Sequence, residues 1–149
     1  MPAVTRARTL RANPEEVWRV VTDPHRLADW WPGVERVEDA GPGAWTNVLV
    51  ARSGRRLRAD YTVLEAEAPR RLVWRQELDD SPFERILSES LLHMALEGVE
   101  GGCTRVALTA RQRARGLARF GFLQMRLATA RQLEGALDGL ADLMGAAGV

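Results

Sequence analysis

Lysine is absent: all 21 basic residues of this 149-residue chain are Arg. We read that as the codon usage of a GC-rich bacterial genome rather than as chemistry. Cysteine is nearly absent, and a lone Cys103 excludes an intrachain disulfide and a Cys-based zinc site. Within Gly101-Gly102-Cys103-Thr104-Arg105 it reads as a small spacer in a turn. There is no excess of one charge: 21 Arg face 20 acidic residues, a net +1. Nothing electrostatic therefore points to nucleic acid as a partner. No positive-then-apolar leader opens the sequence, and no apolar run approaches the roughly 18 residues a bilayer span requires. The expectation is a soluble, cytoplasmic protein without integral membrane contact. HExxH, the Walker loop and GxSxG are all missing. Gly41-x-Gly43 lacks a third glycine and reads as a turn. With two distant His residues and one Cys, neither a metal site nor a Cys/His nucleophile pair is expected, and no cofactor is called for.

The length fits a single domain over 1–149, in which roughly 70 % of the unfolded chain's surface can be buried. Residues 3–12 alternate enough to be a strand. Asn13-Pro14-Glu15-Glu16 then opens a helix: Asn13 suits the N-cap, Pro14 the first helical position, and both Glu residues the positive end of the dipole. That helix stops near Asp23-Pro24, and a second short one runs from His25 to about Trp30. Period-two segments follow at 34–39, 45–52, 57–66 and 71–78, divided by Gly-Pro-Gly, Ser53-Gly54 and Ala68-Pro69. Residues 85–97 have helical propensity. We read them as a strand because Glu100-Gly101-Gly102 suits a hairpin turn and 103–113 alternates after it. Parity places Ser88, Ser90, Leu92, Met94 and Leu96 on one face. From Leu117 to Met144 apolar residues recur at Phe120, Leu123, Leu127, Ala130, Leu133, Leu137, Leu140 and Met144, one stripe of a long amphipathic helix. This order is α+β, with six or seven antiparallel strands packing against that stripe.

Ala12–Trp18, Thr22–Val34, Ala66–Trp74 and Glu100–Val106 carry a resemblance to the START-related (SRPBCC) superfamily, with its birch-pollen-allergen-like and polyketide cyclase/dehydrase members. The resemblance implies a helix-grip fold, a curved sheet around a long C-terminal helix with two short helices between strands 1 and 2. It also implies a ligand cavity between sheet and helix. It does not fix a reaction, since one fold hosts many functions. Arg6 and Arg8 depart from the pattern, standing on the parity of Leu10 where the family more often has apolar residues.

Candidate ligand contacts are the polar and aromatic residues on apolar faces. Tyr61, Gln76 and Ser90 could orient a ligand, or could be satisfied at the sheet rim. Trp74, Leu92 and Met94 would be cavity wall. Trp31 either meets ligand at the entrance or wedges the short helices against the sheet. From the long helix, Phe122, Leu123 and Leu127 would face the cavity. Arg126 sits mid-stripe, where a buried charge needs a partner; it either anchors a polar ligand group or snorkels to solvent. The leading reading is binding, or transport, of a small hydrophobic or aromatic molecule such as a polyketide, lipid or quinone. A cyclase, aromatase or dehydratase using Tyr61, Gln76, Arg126 and Glu134 is the enzyme alternative. A co-chaperone-like interaction module, built on the Arg-rich helix start, is the third. Arg early and acid late in that helix also leaves a homodimer open.

Overall fold

The computed structural model describes residues 3–145, apart from the side chains of Ala118 and Phe122. Seven strands form one antiparallel sheet: β1 Ala3–Leu10, β2 Val34–Gly41, β3 Ala44–Val50, β4 Arg56–Glu67, β5 Arg71–Glu77, β6 Leu87–Val99 and β7 Cys103–Ala114. Their order across the sheet is β1-β7-β6-β5-β4-β3-β2. Each strand from β2 to β7 pairs with its sequence neighbour, and only the link from β1 to β2 crosses from one edge to the other. That link holds α1 (Pro14–Val21), a 3₁₀ turn (Pro24–Arg26) and α2 (Leu27–Trp30). A long helix, α3 (Phe122–Met144), closes the chain after a 3₁₀ segment at Gly116–Gly121.

Local chemistry explains the boundaries. Asn13 and Glu16 form a capping box at α1, the Asn13 side chain accepting from Glu16 N at 2.9 Å. The 85–97 ambiguity resolves as strand, because β6 pairs with β7 from Leu87–Ala114 to Val99–Cys103. A register shift between Leu87 and Glu89 turns Leu87 inward and Ser88 outward. Ser88 therefore leaves the face that simple alternation assigns to it.

One face of the sheet carries the core. Leu10, Leu72, Met94, Val106 and Leu108 meet α1, α2 and the C-terminal half of α3, where Leu133, Ala136, Leu137 and Leu140 are all but inaccessible. Gly139 lets α3 lie directly on α2: a Cβ there would stand 2.7 Å from Trp30 Cα. Arg6 and Arg8 do share the parity of Leu10, yet they reach the flank of α3. Arg6 pairs with Glu134 at 3.4 Å, and Arg8 pairs with Glu134 and Asp138.

The stripe read from the sequence describes only half of α3. Leu123 is 70 % exposed and Leu127 60 %. In this half the residues turned toward the sheet are Met125 and Thr129, one helical turn apart. Among the described residues, no helix is long and apolar enough to cross a membrane.

Candidate functional site

The inward side chains of β3 to β7 do not fill the space beneath α3. A cavity of about 190 Å³ remains between the sheet, the chain after α2 and one turn of the long helix. Its apolar wall is Trp31, Leu49, Trp74, Leu87, Leu92 and Leu133. Strand parity delivers these residues, and the same parity delivers polar ones between them. Tyr61 stands opposite Gln76 in the β4–β5 register, and Ser90 opposite Gln112 in β6–β7. Asn47 joins them from β3 and Gln132 from α3. None of the described residues that line the cavity is charged.

These polar groups differ in how far the protein satisfies them. Asn47 Oδ1 accepts from Trp45 Nε1 at 3.0 Å, and Gln112 Oε1 accepts from Thr129 Oγ1 at 2.9 Å. Each of those amides keeps its NH₂ group for another acceptor. The Tyr61 hydroxyl and the side chains of Gln76 and Ser90 make no hydrogen bond to protein among the described residues, although Gln76 and Ser90 are each 8 % exposed. Sheltered polar atoms without partners are costly unless water or ligand meets them. Burial pushes the Tyr61 phenol up to about 12. At neutral pH it is therefore a hydrogen-bond donor rather than a base.

The floor is aromatic. Trp45 stacks on Tyr61 with centroids 5.6 Å apart and planes within 9°. Trp74 meets Trp45 edge-on at 5.1 Å and Trp31 at 6.0 Å, and Trp30 joins at 5.5 Å from Trp31. Such pairs add to the area they bury and hold each ring in place. Behind this cluster lies a second, more apolar cleft of about 400 Å³. The end of α1 at Val21, the Gly41–Gly43 turn, Val63 and Leu72 enclose it. Trp74 borders both spaces, so the indole cluster is a partition between two chambers.

Of the residues singled out from the sequence, Trp31, Tyr61, Trp74, Gln76, Ser90 and Leu92 come together at this cavity. Met94 does not; at 1 % exposure it belongs to the packed core. Leu123 and Leu127 point to solvent, because the inward phase of that half-helix belongs to Met125 and Thr129. Arg126 is exposed too and donates to Ala3 O at 3.1 Å. The side chain of Phe122 lies outside the described residues. Glu134 is paired with Arg6 and Arg8 rather than turned to the cavity. Asn47, Gln112 and Gln132 went unread. Asn47 shares parity with Trp45 and Leu49, and Gln112 with Leu108 and Ala110, so alternation held the signal for both.

Residues 1–145 match the family described as polyketide cyclase / dehydrase and lipid transport. None of the curated proteins matches the sequence. Among solved structures, XoxI from Bacillus cereus superposes with a TM-score of 0.76 at 14 % identity, covering 97 % of this chain and 96 % of that one. TTHA0849 from Thermus thermophilus gives 0.73 at 24 % identity over 95 % of each. The di-domain ARO/CYC BexL from the BE-7585A biosynthetic pathway gives 0.76 at 20 % identity, over 94 % of this chain and 45 % of that one. At such identities the likeness is one of fold, whereas the match over nearly the whole sequence shows kinship: the chain belongs to the polyketide cyclase / dehydrase and lipid transport family.

Proposed function

We propose that this protein binds a small, uncharged, oxygen-bearing aromatic molecule in the cavity between Trp31, Tyr61, Trp74 and Leu92. One observation carries the reading: sheltered, uncharged polar side chains, Gln76 and Ser90 above all, face an indole-walled space without protein partners. A ligand oxygen can make with them the hydrogen bonds that the protein does not supply, and a charged ligand would find no counter-ion there. The size of the space supports a molecule of one or two rings, since a cavity near 150 Å³ holds benzene. A longer polyketide or lipid would need more room than this space alone supplies.

Titration with 1-naphthol, followed by tryptophan fluorescence, tests the proposal, because three indoles line or border the space. Saturable quenching is expected, weakened about tenfold by Gln76→Leu, the loss of one buried hydrogen bond. Linear, unsaturable quenching, or equal affinity in the variant, would contradict it.

Turnover is a second reading, favoured by the pairing of Tyr61 with Gln76. A neutral phenol beside an amide can donate to a carbonyl as negative charge grows on it, and a shaped pocket can hold a chain near its point of attack. Tyr61→Phe should then abolish cyclisation of a poly-β-carbonyl substrate while binding persists.

A further inference from the structure

Charge is distributed unevenly along this chain. Residues 101–133 hold seven Arg and no Asp or Glu, leaving 14 Arg against 20 acidic residues elsewhere. The fold gives the two populations different company. Arg6, Arg8, Arg36, Arg56, Arg58 and Arg75 each sit against a carboxylate. Arg113, Arg115, Arg119, Arg126 and Arg131 have no carboxylate within ion-pair distance among the described residues. All but Arg131 lie where β7 runs into the 3₁₀ segment and the first turns of α3, at the end of the helix whose dipole is already positive. Glu134, Asp138 and Asp142 lie in the other half.

The same corner carries the four most exposed large apolar side chains among the described residues. Leu117 is 84 % exposed, Phe120 83 %, Leu123 70 % and Leu127 60 %. Ile86, 44 % exposed, is tied beside them through the bond from Arg115 N to Ile86 O at 2.8 Å. Apolar groups clustered this way mark a contact surface. Side chains this open project outward from the corner, so they suit a surface they can enter.

We propose that the 3₁₀ segment and the first turns of α3 form a peripheral docking face for an anionic lipid surface. Leu117, Phe120 and Leu123 enter the boundary between headgroups and acyl chains, while Arg115, Arg119 and Arg126 meet the phosphates. This is the division of labour of an interfacial amphipathic helix. A second copy of the chain is the poorer occupant. A two-fold contact would set these unpaired guanidiniums against their own images, and Glu134 and Asp138 are already held by Arg6 and Arg8. The proposal is independent of what the cavity binds.

Co-sedimentation of the full chain with phosphatidylcholine vesicles, with and without phosphatidylglycerol, tests it at low and high salt. The protein should partition at least about tenfold more strongly onto the anionic vesicles, since each Arg near such a surface contributes ~1 kcal/mol. High salt should release it. Leu117→Ser with Phe120→Ser, and separately Arg115→Glu with Arg119→Glu, should each remove that preference without moving the melting temperature. Leu123→Gln serves the same purpose should either pair fail to fold. Any of these results would overturn the idea: no sedimentation with anionic vesicles, equal binding to neutral ones, unaltered binding by the folded variants, or a concentration-dependent dimer that the same variants dissociate. Capture of an acidic protein without any lipid partitioning would overturn it as well.

Discussion

The two halves of α3 carry similar patterns and meet opposite fates. Leu123 and Leu127 stand in solvent, whereas Leu133, Leu137 and Leu140, at the same three- and four-residue spacing, are buried to 1 % or less. The difference lies in what each half can approach. Gly135 and Gly139 bring the C-terminal half onto Pro32 and Trp30, and Arg11 N donates to Gly145 O at 2.8 Å where the helix ends. No glycine stands between Phe122 and Glu134, and the inward residues there are Met125 and Thr129 beside a small gap of about 30 Å³. Periodicity announces a helix and its apolar side. Whether that side is covered depends on the elements across from it.

Breaking the comparison should show in stability, the largest effects first. Leu137→Ala should cost about 2–5 kcal/mol, read from urea midpoints, because the site is packed on all sides. Gly139→Ala should be destabilising by about 2 kcal/mol: the helix gains ~1 kcal/mol of propensity, but the new methyl meets the Trp30 backbone, and overpacking of that kind costs about 3 kcal/mol. Leu123→Ala should change stability by no more than about 0.5 kcal/mol. A Leu123→Ala effect as large as that of Leu137→Ala would mean the first half is buried after all.

The contrast between interior and surface extends to titration. Tyr61 is the single tyrosine, so phenolate absorbance reports it alone. Its midpoint should lie near 12 in the folded protein and near 10 once unfolded. Because the unfolded chain gives up that proton first, stability should fall as pH rises from about 10 toward 12. His93 carries the smallest effect. Partial burial, with help from Arg111 and Arg71, holds its imidazole below the usual 6.5. The unfolded chain then binds the proton more readily, so this contribution is complete above 6.5 and declines as pH drops through it. His93→Gln should flatten that slope; an unchanged slope would assign it elsewhere.

Most of the architecture was legible because turns and parity are local. The hairpins, the capped first helix and the strand at 87–99 follow from glycine placement and alternation. At the site, Tyr61, Gln76, Ser90 and Trp74 were within reach because the three strands that hold them alternate regularly at these positions. Two things were not local. The register shift at Leu87 exchanges Ser88 for Leu87 on the inner face, and no residue type marks it. The loss of cover over Leu123 and Leu127 depends on what packs across from them, not on their spacing. Arg126 stood mid-stripe for the same reason; once the stripe is open to solvent, its charge needs no buried partner.

A crystal structure of the protein with 1-naphthol would test the central claim most directly. The account predicts the rings between Trp31, Trp74 and Leu92, with the hydroxyl within hydrogen-bonding distance of Gln76, Ser90 or Tyr61. Ligand found only in the cleft behind Trp74 or on the protein surface, with Gln76 and Ser90 left to water, would contradict it.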